Sequence, residues 1–205
     1  MSSRPNQLSR EVIAAAALSI ADKEGFSAVS MRRVAQELNV GTMTIYHYVK
    51  TRDDLIAAMD DALMSENLLS SVPSEWQHAI TEIATRTHAL FLRHPWALAS
   101  MASAPPGRNA MLHMEQCLQA LSKTKMTAEQ KLTLLAMVDD FVFGSALRES
   151  ADNANMDMEF AKAQLATGDF PQLSKLFGHG RVDARVDRFQ MGLRILLHGQ
   201  RSWAK

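Results

Sequence analysis

Apolar side chains recur along residues 9–24 at Ile13, Ala16, Ala17, Ile20 and Ala21, the three- and four-residue spacing of one helical face. Ser9 stands ahead of this run as an N-cap, Leu8 and Ile13 can staple across it, and Gly25 supplies the stop. A shorter helix, capped by Ser30, runs through Leu38 and turns Met31, Val34, Ala35 and Leu38 inward. Asn39-Val40-Gly41 reads as a tight break, and a third helix, about 42–48, begins directly after it. Thr51 and Asp54 form a capping box that opens a fourth helix, LIAAMDDALM. Further helical periods span roughly 54–70, 75–94, 107–123, 127–150, 157–167 and 182–203. Pro73, Pro95, Pro105-Pro106-Gly107, the polar stretch SADNANMD and the interval from Gly168 to Gly180 separate them. No segment alternates as a strand would and no repeat recurs, so the expected fold class is all-α.

Two short helices joined by a tight turn, packed on a longer leading helix, make the layout of a helix-turn-helix. The second short helix of such a unit enters the major groove and reads bases with its exposed face. At about 100° per residue, Thr42, Met43, Tyr46 and His47 share one arc of the 42–48 helix, with Ile45 and Tyr48 on another. The first arc can face DNA while Ile45 packs inward. Hydroxyl and imidazole groups suit phosphates and base edges, and Met43 suits a thymine methyl. Lys50 and Arg52, just past a turn, are placed for phosphates. One of the adjacent Arg32 and Arg33 is expected at DNA, Arg32 in preference. Arg4 and Arg10 could form an arm entering the minor groove or a solvated tail.

Composition changes this picture little. Hydrophobic residues make up 47% of 205 positions, enough for a substantial core. Thirteen Met and two Tyr favour helices over sheets. Cys117 stands alone, so an internal disulfide is impossible and a reducing compartment is expected. No apolar run approaches the roughly 20 residues of a membrane span, and MSSRPNQLSREV lacks the apolar region of a secretory signal. The expected location is cytoplasmic, on the nucleoid when bound to DNA. Net charge is zero, but residues 1–52 hold seven Lys/Arg against four acids, and the remainder 15 against 18. A mildly basic head on an acidic body is compatible with DNA binding at one end.

The segment LSREVIAAAALSIADKEGFSAVSMRRVAQELNVGTMTIYHYVKTRDDLIAAMDDALM, residues 8–64, resembles the DNA-binding domain of the TetR family of transcriptional regulators. Downstream, RHPWALASM, DDFVFGSALRE, LATGDFPQLSKL and DRFQMGLRILLHG look like the C-terminal domain of the branch that includes the tetracycline repressors. The resemblance implies that Ser30 caps the second helix and bonds a phosphate, and that Arg32 can reach a base. It places Thr42, Met43, Thr44 and His47 against the groove and Tyr46, Tyr48, Lys50 and Arg52 on the DNA backbone. It implies an N-terminal three-helix head over residues 1–50, with a connecting helix from about 51. It also implies a ligand-binding and dimerisation body over 51–205, and a homodimer pairing helices near 127–150 and 182–203 on a palindromic operator. A small-molecule effector, largely apolar, would release double-stranded DNA from a repressor of this kind.

Which body residues line such a pocket is less legible. Trp76, Phe91, Met101, Met114, Met137 and Phe141 are candidates, Met being a flexible filler suited to varied apolar ligands. Each is also an ordinary core residue. His113 and Cys117 stand four apart on one helix, but no third ligand accompanies them, so neither metal nor cofactor is expected. Asp139-Asp140 reads as a pocket-rim or dimer-rim pair rather than an acid–base couple. No catalytic motif is present, and the chain is not expected to be an enzyme. Two alternatives stay open: an activator or ligand-independent DNA-binding regulator, and, more remotely, an all-α ligand-binding protein or enzyme with a vestigial head.

Overall fold

The computed structural model describes residues 8–101, 105–150, 158–178 and 187–199. Among the described residues every regular element is helical: α1 (Arg10–Glu24), a 3-10 turn (Phe26–Ala28), α2 (Met31–Glu37), α3 (Thr42–Tyr48), α4 (Arg52–Asn67), α5 (Trp76–Arg93), α6 (Ala97–Met101), α7 (Arg108–Ala120), α8 (Ala128–Ser150), α9 (Met158–Ala166), α10 (Pro171–Gly178) and α11 (Arg188–Gly199). Arg4, the polar stretch 151–157 and the outer ends of the expected 182–203 helix lie outside the described residues.

The helix ends sit where local chemistry puts them. Ser9 Oγ accepts from Val12 N at 3.3 Å, and Ser30 Oγ accepts from Arg33 N at 3.2 Å. The capping box is reciprocal, with Asp54 N donating to Thr51 Oγ1 and Thr51 N to Asp54 Oδ2, each at 3.0 Å. Gly25 closes α1 at φ +89°, a conformation that favours glycine. In the α2–α3 turn the left-handed residue is Asn39, at φ +52°, with Val40 N reaching back to Ala35 O at 2.9 Å. Asparagine tolerates that region better than a branched side chain would.

Three expectations are corrected. The interval from Gly168 to Gly180 contains α10, and α6 begins two residues after Pro95. The physical reason is the same in both: proline lacks an N–H that the first turn does not use, so it can initiate a helix as well as end one. Pro171 is the first residue of α10. Leu38 is half-buried rather than buried, because α2 ends at Glu37 and leaves it at the rim of the core.

Two cores form. Ile13, Ala17, Ile20, Val34, Ile45 and Val49 pack together with Leu55 and Met59 from the first half of α4. The second core starts at Leu63 on the same helix and gathers α5, α7, α8 and α11 through Phe91, Leu121, Leu134, Val142 and Leu193. Leu18 and Trp96 touch both. α11 lies close on α8: a Cβ at Gly192 would come 2.5 Å from Phe141 Cζ. The Phe141 ring stacks on Phe189 at 5.5 Å, and Phe189 on His88 at 3.9 Å.

Candidate DNA-binding face and effector pocket

α3 is anchored by one side chain. Ile45 is fully buried, while Met43 is 73% exposed and Tyr46, His47 and Tyr48 stand in solvent. Thr42 and Thr44 are half-buried at its base. Tyr48, expected on the Ile45 side, is as open as Tyr46, at 40% against 39%. It is the last residue of the helix, where the arc no longer has a core beneath it.

The cations around α3 differ in how they are held. Arg33 is tied to Glu24 by its Nε (3.1 Å) and Nη2 (2.5 Å), and by Nη2 to Glu37 at 2.8 Å. The Glu24 and Glu37 carboxylates raise its pKa further above the ordinary guanidinium range. Arg33 therefore straps α2 to the end of α1, while its exposed neighbour Arg32 takes no part in that network. Lys50 Nζ folds back on the carbonyls of Tyr46 (3.1 Å) and His47 (3.4 Å), a cation on a helix C-terminus. Arg52 lies over the Phe26 ring at 5.6 Å, and Arg10 Nη2 reaches Asp54 O at 3.4 Å.

The head meets the body through an aromatic and acidic junction. Asp22 Oδ1, near the end of α1, accepts from Trp96 Nε1 at 2.8 Å and lies 2.7 Å from His94 Nδ1. Trp96 stacks on Phe26 at 5.5 Å. On the other side of α4, Asp61 accepts from Asn109 N (2.6 Å) and Asn109 Nδ2 (3.0 Å), clamping the start of α7. Gly107 is required there, because a Cβ would collide with the Asp61 carboxylate.

In the body, buried polar atoms stand without partners along the seam of α4 and α7. Asp60 is 8% exposed; its Oδ1 accepts from Ser100 Oγ at 2.6 Å and its Oδ2 has no partner. Desolvation raises the Asp60 pKa, against the Ser100 hydrogen bond that lowers it. One face further along, Asn67 Nδ2 donates to Thr87 Oγ1 at 2.7 Å while its Oδ1 is unpartnered. On α7, His113 Nδ1 is likewise unpartnered, and desolvation lowers its pKa, favouring the neutral ring. Gln116 is committed, clamping both Leu69 N (2.9 Å) and Leu69 O (2.8 Å). A cavity of about 140 Å³ opens beside Asp60, with Met64, Met101, Pro106 and Ala110 in its wall.

Cys117 is buried, and desolvation together with Asp139 pushes its thiol up to about 12, which leaves it neither nucleophile nor thiolate ligand. Among the described residues no group of three or more His, Cys, Asp or Glu is placed to hold a metal ion. Asp139 is raised to about 6 by desolvation and by Asp140, although its side chain still reaches solvent.

Comparison with known proteins places this geometry. Residues 13–59 match the model of bacterial regulatory proteins of the tetR family, and residues 71–202 match the tetracyclin repressor-like C-terminal domain. The chain belongs to the TetR family. Among TetR-family relatives, the HTH-type transcriptional repressor DrrR1 of Streptomyces coeruleorubidus is 34% identical over 94% of this chain and 77% of its own. Apo ActR from Streptomyces coelicolor superposes with a TM-score of 0.80 at 29% identity, covering 99% of this chain and 98% of ActR. ActR in complex with actinorhodin gives 0.78 at 29% identity, over 95% and 96%.

As in the family, α2 and α3 form the helix-turn-helix and a helical domain follows. Of the six body candidates, Met101 lines the cavity beside Asp60. Phe91 is buried in the body core, Trp76, Met114 and Phe141 pack half-buried against it, and Met137 is 39% exposed on α8. By side-chain type the sequence draws no attention to Asp60, Asn67 or Ser100, and it offers His113 only beside Cys117, at a metal-ligating spacing. Asp60 and Asn67 carried a faint signal, being polar residues on the apolar arc of α4 that holds Leu63.

Proposed function

We propose that this chain is a homodimeric repressor that reads a palindromic operator with α3 and is released by a small, largely apolar effector bound in its body. The observation that carries the reading is α3 itself, a helix held by Ile45 alone while Met43, Tyr46 and His47 project into solvent. Thr42, Met43, Thr44 and His47 are assigned to the groove, Arg32 to a base, and Ser30, Tyr46, Tyr48, Lys50 and Arg52 to phosphates. Arg33 holds α2 in place instead, because Glu24 and Glu37 already occupy its guanidinium. Residues 1–50 form the operator-binding head and 51–205 the body in this reading, which works in the cytoplasm and on the nucleoid. No described helix is long and apolar enough to cross a membrane.

Exposed apolar residues support pairing through α8 and α11. Leu132 and Leu147 on α8 and Met191 and Ile195 on α11 stand open in the single chain, Ile195 at 69%. A second copy would cover them, and two-fold symmetry would set two α3 helices about 34–36 Å apart for adjacent major grooves. An effector weakens DNA binding only if it prefers a body conformation in which that spacing is wrong. The similar protein ActR has been solved in complex with (S)-DNPA and with actinorhodin.

The test is selection from a random-duplex pool with the purified protein, followed by titration of the winning site at several salt concentrations. An inverted repeat bound with a steep salt slope is expected. Salt-insensitive binding without sequence preference would overturn the reading.

A further inference from the structure

The unpartnered Asp60 oxygen is the one buried charge in the described body that nothing in the fold explains. Its carboxylate is more than nine-tenths buried, yet the single hydrogen bond it accepts comes from Ser100. Its second oxygen has no partner, and a cavity of about 140 Å³ opens beside Asp60, walled by the neighbouring Asp61 and by the apolar Met64, Met101, Pro106 and Ala110. Leaving such an oxygen unbonded is costly.

From this geometry we propose that the cavity receives the protonated amino group of an amphipathic effector, with Asp60 as its counter-ion. An ammonium group supplies both what the oxygen lacks: a donor, and a positive charge that a buried carboxylate needs for compensation. Methionine and proline walls fit the carbons next to it, and the cavity has room for the amine end of a molecule whose remainder extends elsewhere. A divalent metal ion fits less well, since it requires several oxygen ligands. Asp61, the neighbouring carboxylate in the wall, is already bonded by Asn109 N and Nδ2. Ser100 links the site to α6, so an amine that draws on the Asp60 carboxylate pulls against a bond between α4 and α6.

This inference rests on the effector-released regulator reading and deepens it. The test uses n-butylammonium and n-butanol as matched probes on the full-length protein, by calorimetry, with operator affinity measured on the same preparation by fluorescence anisotropy. The ammonium is expected to bind at least tenfold more tightly than the alcohol, with Asp60→Asn erasing the difference. Equal binding of the two probes by the wild-type protein would overturn the proposal, and because that comparison uses no variant it stands even where Asp60→Asn fails to fold. So would a preference that survives Asp60→Asn, or displacement of n-butylammonium by millimolar Mg²⁺. A protein that keeps a salt-sensitive operator but shows no amine preference loses this proposal alone. One without any operator loses the regulator reading itself.

Discussion

Replacing Asp60 with asparagine should make the protein more stable at neutral pH, and the gain should depend on pH in a defined direction. Asn keeps the shape and the Ser100 contact but removes a charge that the fold holds away from water. A buried, unsatisfied polar group costs about 1–3 kcal/mol, and more when charged; a neutral amide nitrogen left in its place still costs part of that. The net gain is therefore about 1–2 kcal/mol. For a chain of 205 residues that corresponds to roughly 3–6 °C in Tm. The pH dependence follows from linkage. Burial raises the folded-state pKa of Asp60 above its unfolded value, so the folded protein binds this proton more tightly than the unfolded chain does. The stability this contributes is fully present below the unfolded value near ~3.9 and is lost as pH rises through the folded value. The gap between variant and wild type should be small near pH 4 and widen toward neutrality. Paired thermal melts across that range check it, and the titrations of Asp139 and His113 largely cancel because both proteins share them. A gap that does not widen with pH, or a wild type that is the more stable at pH 7, would refute the claim that this carboxylate is desolvated and uncompensated.

Other perturbations separate the head from the dimer. Tyr46→Ala should weaken operator binding by roughly 1–3 kcal/mol for two subunits, one hydrogen bond each, with the dimer and the melting curve intact. A variant that instead unfolds would make Tyr46 a packing residue. Arg52→Ala should lower the slope of log K against log salt by about 0.9 per subunit, and an unchanged slope would leave the guanidinium on Phe26 in the bound state too. Ile195→Lys, at a site 69% exposed in the single chain, should give monomers by sedimentation and lose operator affinity, whereas a persistent dimer would move the interface away from α11.

The head was legible because its determinants are local. Ser9, Ser30 and the Thr51–Asp54 box each satisfy backbone groups within three residues, and Asn39 turns the chain between two short amphipathic runs. The burial of Ile45 against exposed Met43 follows from helical period alone. The body yielded its longer helices but neither α6, α10 nor its pocket. Met and aromatic residues there were weighed by type, and type does not separate Phe91, sunk in the core, from Met101, at the edge of a cavity. The polar atoms that matter became visible only through burial: adjacent Asp60 and Asp61 look alike in sequence, yet one lacks a partner and the other clamps α7. Likewise Arg32 and Arg33 differ by where Glu24 and Glu37 converge, a contact that spans two helices.

The placement of Ser100 makes α6 a second route, beside α4, from the pocket to the head. Asp60 holds Ser100 on α6, and four residues earlier Trp96 bonds Asp22 and stacks on Phe26. α4 itself carries Leu55 and Met59 in the head core and Leu63 in the body core, so one helix belongs to both. A ligand that draws on the Asp60 carboxylate would therefore act on two rigid elements, each with one end in the pocket and the other on the head. Packed interiors shift between discrete arrangements rather than deforming smoothly. Displacement of α6 would disturb the Trp96–Asp22 bond before it disturbed the Ile45 anchor, because Ile45 packs only within the head core. The head would then change its angle to the body while α3 kept its own shape. Since two α3 helices must meet adjacent grooves at once, a change in angle is sufficient to weaken operator binding without unfolding either reader.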